Sequence, residues 1–407
     1  MAEVPMVAVE IGTTRMRVLV GESRNNMLMI LGLGESPSAG VRKSDVVNFD
    51  QVVTALRGAL HEAEEKADVT IHSVNLALSG GHIGAEVNRG TVHVVNPQGE
   101  ITETELDSVR DAARAYGLPT DRERVHTLHQ RFFVDGRPVL DPLGMAGDRL
   151  EEDALIVHAA ATPMANLIKT AETVPVVVED IAFSALCAGY GVLGPEQKHN
   201  GVLVIDLGGG STSFVVYADQ TIAHAGALGV GGDHVTNDIA FGFNLPQAQA
   251  ERLKCAHGCA VITPQTRSRT ATLAPEGAFA GKSVRKVELD VIINARMDEL
   301  FQWVKAELDR RGLLSKLGAG VVLTGGGSRL NGVTELAQRV FGLSCVIGEP
   351  SGLSGLTSII RGPEYATIAG LLKFAHLHQR QDSANRLTPA ALIGGLLGRL
   401  KTVGGRR

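Results

Sequence analysis

Two glycine turns, each preceded by an apolar strand with an acidic residue near its end, are the clearest candidates for chemistry. The first turn, residues 12–14, follows the apolar run 7–11, and the second turn, residues 208–212, follows the run 202–207. Glycine lets the backbone approach a ligand without a Cβ clash, and clustered N–H groups with hydroxyls bind phosphate. One turn alone would suit a simple tight hairpin. Two facing turns predict a clamp for a polyphosphate.

Carboxylates stand just before both turns, at Glu10 and Asp206. There they could hold a hydrated Mg²⁺ beside the phosphates, although a solvated acid at a strand end is the plainer alternative. A third glycine cluster, residues 325–327, follows the apolar strand 321–323. We therefore expect three glycine segments and two carboxylates to share one site.

Other kinds of site have weaker support. The sequence has no Gly-x-x-x-x-Gly-Lys-Ser/Thr loop, and a strand rather than a helix follows each turn, unlike the dinucleotide-binding fingerprint. Cys255 and Cys259 lack a second pair of zinc ligands and are interpreted as buried thiols. His126 and His129 are interpreted as core or surface histidines. No nucleophile elbow occurs, so no catalytic residue is assigned.

The elements that must position these turns repeat along the chain. At both turns an apolar run, an acid, a glycine, hydroxyl residues and a second apolar run follow one another, which indicates an internal duplication. Helical spacing predicts helices over 50–66 and 332–340. Residues 82–162 form a separate β-rich module, the inserted module, in which Thr102 and Glu105 predict a capping box. The polar residues 376–388 predict a linker.

Composition limits the class of protein. The chain has 407 residues, of which 44% are hydrophobic and 20% charged, so it is too apolar for general disorder. Its net charge of −5 excludes a globally basic nucleic-acid binder. Four cysteines cannot form a disulfide scaffold and indicate a reducing compartment. No apolar run is long enough to predict a spanning helix.

The last residues combine apolar spacing with positive charge, which predicts an amphipathic helix over 389–407 that lies on an anionic membrane surface. A helix docked on the protein body is the alternative. Residues 376–407 carry a net charge of +5, so residues 1–375 carry −10. The side chains expected to meet the membrane are Leu392, Ile393, Leu396, Leu397, Arg399, Leu400 and Lys401.

These motifs resemble those of the actin-like ATPase superfamily and, within it, the FtsA family of bacterial cell-division proteins. The superfamily's two phosphate loops match residues 10–14 and 206–212, and its adenosine motif matches 323–329. Its two crossing helices look like 185–193 and 364–374. Segments similar to FtsA itself are 133–136, 141–145, 229–240 and 250–254.

The resemblance implies an α/β, actin-like, ribonuclease-H-like duplicated fold of two domains with an FtsA-type inserted subdomain and a C-terminal amphipathic helix. It divides the chain into domain I (1–81 and 163–200), the inserted subdomain (82–162), domain II (201–360), a second crossing helix (361–375), the linker (376–388) and the terminal helix (389–407). It implies ATP with Mg²⁺ on Glu10 and Asp206. The residues expected to contact ATP are Gly12, Thr13, Thr14, Arg15, Asp206, Gly208, Gly209, Gly210, Ser211, Thr212, Gly232, Glu251, Lys254, Gly325, Gly326, Gly327 and Arg329.

The function implied by the resemblance is a peripheral protein on the cytoplasmic face of the cell membrane at the division site. It would form actin-like filaments with itself and tether FtsZ filaments through the FtsZ C-terminal peptide, near Arg296 and Glu299. The inserted subdomain would contact later membrane proteins of the division machinery. No nucleic-acid partner is implied.

Three positions depart from the superfamily pattern. Glu10 stands where Asp is usual, Ser213 where an Asp closes the second loop, and Ser184 where chaperone-type relatives carry a water-activating Glu. Because a hydroxyl is a poor base, these changes predict ATP binding with slow or absent hydrolysis. Two alternatives are a small-molecule phosphotransferase such as a sugar or acetate kinase, and a pilus assembly protein similar to PilM. The inserted module and the tail favour FtsA.

Overall fold

The structure is a computed structural model that describes residues 5–386 apart from residues 26, 96, 97, 265–267 and 278. Side chains are described up to residue 379. The expected membrane side chains, from Leu392 to Lys401, therefore lie outside the described residues. Within the described part of the chain, no helix is long and apolar enough to cross a membrane.

The described elements alternate between strands and helices. In chain order the strands are β1 (Met6–Ile11), β2 (Arg15–Arg24), β3 (Met27–Pro37), β4 (Val41–Arg42), β5 (Asp45–Val46), β6 (Ser73–Leu78), β7 (Gly84–His93), β8 (Arg122–Val134), β9 (Arg137–Val139), β10 (Arg149–Ala160), β11 (Val177–Phe183), β12 (Val202–Leu207), β13 (Thr212–Ala218), β14 (Thr221–Leu228), β15 (Thr270–Leu273), β16 (Lys282–Arg285), β17 (Val321–Thr324), β18 (Cys345–Ile347) and β19 (Ser354–Gly355). The α-helices are α1 (Phe49–Ala67), α2 (Glu103–Arg114), α3 (Ala161–Thr173), α4 (Ser184–Val192), α5 (Pro195–Asn200), α6 (Gly232–Phe243), α7 (Gln247–His257), α8 (Lys286–Arg310), α9 (Val333–Phe341) and α10 (Ala366–Arg386).

Five strands of one sheet and all five of another share one topology, which confirms the predicted duplication. The first sheet has the order β11-β6-β1-β2-β3-β19, and the second sheet has the order β14-β13-β12-β17-β18. In each, a central strand pairs antiparallel with the next strand along the chain and parallel with a later one. Hydrophobic strands such as Val202–Leu207 are buried on both faces because helices cover them. Each sheet thus presents its glycine turn at the end of its central strand.

Helices α4 and α10 cross between the two sheets, as the resemblance implied. Their backbones touch at glycines: a Cβ on Gly370 would lie 1.6 Å from the carbonyl oxygen of Cys187, and one on Gly191 would lie 2.2 Å from that of Ala366. Helix α10 buries Ile368, Leu371 and Leu372 against the first sheet. Any larger residue at these glycines would push the crossing helices apart.

The inserted module forms its own antiparallel sheet, in the order β7-β10-β8-β9, with α2 packed on one face. The predicted capping box is present: the Thr102 side chain accepts a hydrogen bond from the backbone N–H of Thr104, and Glu105 accepts from the backbone N–H of Thr102. Helix α2 follows this cap directly and ends at Arg114.

Most of the segment expected to be a linker is helical in the structure. Helix α10 begins at Ala366 and continues to Arg386, so residues 376–386 extend the second crossing helix. Polarity alone suggested a linker, but Gln, Arg and Ala are good helix formers. The preceding segment, Pro363–Tyr365, is a short 3-10 turn and not part of an α-helix.

Candidate functional site

A cleft of about 540 Å³ lies between the two sheets. Every residue expected to contact ATP or Mg²⁺ lines this cleft, from both halves of the chain.

The two turns have the same backbone geometry. In the first turn the N–H of Gly12 donates to the carbonyl of Arg15 at 3.1 Å, and in the second the N–H of Gly208 donates to that of Ser211 at 3.0 Å. A Cβ on Gly12 would lie 2.7 Å from the carbonyl oxygen of Arg15, and one on Gly208 would lie 2.7 Å from that of Ser211. Glycine is therefore required at both positions by the tightness of the turn.

The tips of the turns face each other and differ in side chains. A Cβ on Gly209 would lie 2.4 Å from Thr14 Oγ1, and one on Gly210 would lie 2.4 Å from Thr13 Oγ1. Threonine hydroxyls of the first turn therefore occupy the space that glycine leaves in the second. This close approach places backbone N–H groups and hydroxyls from both halves around one point.

Helices α6 and α7 form the next wall of the cleft. The second turn is fixed to the start of α6, because the N–H groups of Gly232 and Asp233 donate to the carbonyls of Gly208 and Gly209 at 2.9 and 2.8 Å. From α7, the Lys254 ammonium donates to the Gly232 carbonyl at 2.9 Å and forms an ion pair with Glu251 at 2.7 Å. The FtsA-like segments 229–240 and 250–254 are thereby brought together.

The third glycine cluster lies against the second turn's strand. Gly325 has a φ of +77°, and a Cβ there would lie 2.2 Å from Asp206 Oδ1. Glycine is required here by conformation and by space. Arg329, on the following 3-10 turn, forms a bidentate ion pair with Glu364 at 2.7 and 2.6 Å. The adenosine motif is thus joined to the segment that leads into α10.

The two carboxylates differ in their partners. Glu10 pairs with Arg17 at 3.2 Å, and Arg17 also pairs with Glu35 at 3.1 Å. Burial raises the pKa of Glu10 above its ordinary value, although Arg17 opposes the rise. Asp206 accepts a hydrogen bond from the Thr367 hydroxyl at 2.8 Å and has no ion-pair partner among the described residues.

Burial also destabilises the charged form of Asp206. Burial, and after it the negative charge of Glu10, raises the pKa of Asp206 to about 6, against the lowering effects of Thr367 and Arg17. A buried carboxylate without a cation is destabilised in its charged form. A divalent cation brought with a nucleotide would remove that penalty, so the donor set fits Mg²⁺.

Two of the departures from the superfamily pattern lie side by side. The hydroxyl of Ser184, the first residue of α4, is 3.1 Å from the hydroxyl of Ser213 on β13. Both residues are buried and line the cleft. These two positions therefore hold a pair of neutral hydroxyls and no carboxylate.

The structure also describes the residues expected to bind a partner and those interpreted as structural. Arg296 and Glu299 lie on α8, where Arg296 bonds Asp238 of α6 at 2.7 Å and Glu299 at 2.5 Å. His126 is buried as interpreted, and its Nε2 accepts from the backbone N–H of Phe183. The buried-thiol interpretation is wrong for Cys255, which is exposed at the cleft, because α7 turns that face outward.

The lining residues that sequence reasoning did not assign to the site include four polar ones: Arg17, Ser44, Glu364 and Thr367. Arg17 could have been found, because an antiparallel hairpin closed at residues 12–14 places it directly opposite Glu10. The other three depend on long-range packing and carry no local motif.

The fold and the cleft define an actin-like protein. The chain is similar to solved MreB5 of Spiroplasma citri bound to ADP, with a TM-score of 0.54 and 15% identity over 93% of this chain and 98% of that one. It is also similar to a chain of the PilM–PilN type IV pilus biogenesis complex, with a TM-score of 0.63 and 18% identity over 91% of this chain and 98% of that one. Identities this low show the fold alone.

The chain belongs to the FtsA family of cell division proteins. The model of the family described as cell division protein FtsA matches residues 203–370, and that of the SHS2 domain inserted in FtsA matches residues 80–158. Cell division protein FtsA of Pseudomonas aeruginosa is 34% identical over 93% of this chain and 90% of its own length. That of Escherichia coli strain K12 is 31% identical over 98% and 96%.

Proposed function

We propose that this chain binds ATP with Mg²⁺ in the cleft between its two sheets and uses the bound state to assemble a membrane-attached division filament. The observation that carries the proposal is the convergence of both glycine turns, the 325–327 cluster and the Glu251–Lys254 pair on one cavity of about 540 Å³. The solved MreB5 chain named as bound to ADP supports a nucleotide on the same fold.

In this proposal the phosphates lie between the first and second turns, and the nucleoside lies toward α7 and residues 325–327. Asp206 and Glu10 face the metal, directly or through its water. The test is calorimetric titration with ATP in Mg²⁺ and in EDTA. Saturable binding of one ATP that weakens in EDTA supports the proposal, and no binding in Mg²⁺ contradicts it.

Hydrolysis is proposed to be slow or absent. Ser184 and Ser213 hydrogen-bond to each other and offer no carboxylate to activate water. Phosphate release from ATP should therefore stay below about 1 per second, the low end of ordinary turnover. Faster release by the pure chain, lost in a variant defective in ATP binding, would contradict this part of the proposal.

The proposed cellular role follows the family resemblance. The chain would associate with itself into actin-like filaments on the cytoplasmic face of the cell membrane and tether FtsZ filaments there. The FtsZ C-terminal peptide would dock near Arg296 and Glu299. These residues lie at an accessible junction of α6 and α8, where Arg296 is 27% and Glu299 43% exposed. The inserted module would meet later membrane proteins of the division machinery.

A peptide pull-down tests the partner. The full chain should retain the FtsZ C-terminal peptide and should not retain a pilus-protein peptide. Replacing Arg296 by Ala should weaken retention. The control is Arg252→Ala on α7, which removes an exposed ion pair with Glu276 and should leave retention unchanged. Preference for the pilus peptide would favour the PilM alternative, which shares the fold with this chain.

Membrane attachment is proposed to reside in residues 389–407. Five large apolar side chains at about 1.5–3 kcal/mol each, partly offset by three glycines in the helix, would give reversible binding by one chain. Filament formation would then strengthen attachment through multivalency. Deleting 389–407 should abolish flotation with anionic liposomes and preserve ATP binding. Undiminished flotation of the truncated chain would contradict the assignment.

A further inference from the structure

A small hairpin lies across the phosphate end of the cleft. Strands β4 and β5 are joined by Lys43 and Ser44, whose φ angles are 52° and 67°. Both residues are thus in the left-handed region, where side chains other than glycine, asparagine and aspartate are disfavoured. Non-glycine residues held in this region are often found where the backbone contributes to a site.

Ser44 touches both turns at once. Its backbone N–H donates to Thr13 Oγ1 at 3.1 Å, and its hydroxyl lies 2.8 Å from the hydroxyl of Ser211. Ser44 also lines the cleft. One residue outside either turn therefore joins a hydroxyl of the first turn to a hydroxyl of the second.

The second turn is shaped to admit the hairpin. A Cβ on Gly210 would lie 2.7 Å from Lys43 Cα and 3.0 Å from Lys43 N. The base of the hairpin is closed by the N–H groups of Val47 and Asn48, which donate to the Gly40 carbonyl at 2.8 and 3.0 Å. The turn of the hairpin is therefore held against both phosphate-binding turns.

The hairpin and the proposed nucleoside contacts come from different segments of the chain. Those contacts come from α7 and residues 325–327, whereas Ser44 contacts Thr13 and Ser211 at the turns. A triphosphate reaches one phosphate further from its nucleoside than a diphosphate does. An oxygen of that last phosphate, placed between the two turns, would meet an N–H and a hydroxyl of Ser44.

We propose that the β4–β5 turn is a third phosphate-contacting element and that Ser44 contacts the terminal phosphate, so that this chain distinguishes ATP from ADP. The inference rests on the proposed function, since it requires a nucleotide in the cleft. Bound ATP replaces the direct Ser44–Ser211 contact with contacts from both hydroxyls to the phosphate. Bound ADP leaves the direct contact intact.

The test replaces Ser44 by Gly, which removes the hydroxyl and suits a φ of 67°. The matched control is Gln220→Gly. Gln220 occupies the same position of a two-residue turn, between β13 and β14, also with a φ of 67°, and does not line the cleft. A second variant, Ser44→Ala, keeps a Cβ. Affinities of the full chain for ATP and ADP are measured by calorimetry in Mg²⁺, after thermal melts confirm folding.

Ser44→Gly should weaken ATP about tenfold and change ADP by less than about twofold, as expected for loss of one hydrogen bond to a charged group. Gln220→Gly should change neither affinity, and Ser44→Ala should show the same selectivity for ATP. Equal loss of both nucleotides, or no loss of either, overturns the inference and leaves ATP binding by the wild-type chain standing. If the wild-type chain binds neither nucleotide, the proposed function fails and the inference fails with it.

Discussion

The two glycine turns share one backbone hydrogen bond, but the carboxylates that precede them have different partners. In the first sheet Glu10 lies directly opposite Arg17 in the strand register, and the two form an ion pair. In the second sheet Asp206 lies at the equivalent position opposite Ser213, and the serine hydroxyl is turned to Ser184 instead. One half of the duplicated fold pairs its carboxylate with an arginine, whereas the carboxylate of the other half has no ion-pair partner among the described residues.

This difference shows how a duplicated fold can form one asymmetric cleft from two similar halves. The tips of the turns differ in the same way, since threonines of the first face glycines of the second. Neither turn would form the site alone. The asymmetry between Glu10 and Asp206 can be broken or sharpened by substitution, as follows.

The largest expected effect comes from making the first half resemble the second. Arg17→Ser leaves Glu10 and Glu35 without their common cation in a mostly buried setting. It should lower the free energy of unfolding by about 3 kcal/mol, measured by urea denaturation. Arg114→Ser on α2 removes a pair with Asp111 in which both side chains are exposed, and it should cost less than about 1 kcal/mol. Equal costs would remove the distinction.

Gly210→Ala tests the fit between the tips. The added Cβ would lie 2.4 Å from Thr13 Oγ1 and must push the two turns apart. The dissociation constant for ATP should rise about tenfold to a hundredfold, since overpacking costs about 1–3 kcal/mol. Gly58→Ala in helix α1, where a Cβ meets nothing within 4 Å, should leave ATP affinity unchanged. Unaltered affinity in Gly210→Ala would show that the tips do not hold the nucleotide.

Asp206→Asn and Glu10→Gln should stabilise the chain to different extents. Without nucleotide or metal, Asp206→Asn removes a buried carboxylate that has no ion-pair partner among the described residues, and it should raise the free energy of unfolding at pH 7 by about 2 kcal/mol. Glu10→Gln also removes a carboxylate whose pKa is raised by burial, but it takes one partner from Arg17, so its gain should be smaller. Denaturation in EDTA measures both, and a larger gain for Glu10→Gln would contradict the comparison.

The pH dependence of the same pair gives a second check. The pKa of Asp206 in the folded chain, about 6, lies above its ordinary value of 3.8. Asp206 therefore favours folding fully below the ordinary pKa, and that contribution is lost as the pH rises through 6. In EDTA, the stability advantage of Asp206→Asn over wild type should shrink as the pH falls from 7 to 4. A constant advantage would show that another group is responsible.

The smallest expected effect is at Ser213. Ser213→Ala removes one hydrogen bond between buried hydroxyls, so the free energy of unfolding should fall by about 1 kcal/mol. ATP affinity should stay within about twofold of wild type, since the Ser213 hydroxyl is directed to Ser184. A large loss of ATP affinity would place the hydroxyl on the nucleotide.

Much of the fold could be predicted because each half repeats one local pattern. The strand, acid and glycine order at Glu10–Gly12 recurs at Asp206–Gly208, and it is dictated by sterics that act within a few residues. The pKa shift of each carboxylate was harder to predict. It depends on the residue across the strand and on burial from α10, which supplies Thr367.

Ser44 and the length of α10 show the limits of local patterns. The β4–β5 turn contains no glycine, so nothing in its sequence marks a left-handed turn, and its contacts to Thr13 and Ser211 are set by packing of the whole first half. Residues 376–386 are polar, which suggested a linker. Their helix propensity and continuity with the buried part of α10 prevailed.

We expect Asp206, rather than Glu10, to supply the metal-dependent part of ATP binding. Calorimetric titration of ATP into wild type, Asp206→Asn and Glu10→Gln, each in Mg²⁺ and in EDTA, tests it most directly. We predict one ATP per chain, weakened at least about tenfold by EDTA in wild type and Glu10→Gln, and nearly independent of metal in Asp206→Asn. Metal dependence that survives in Asp206→Asn and disappears in Glu10→Gln would contradict the account.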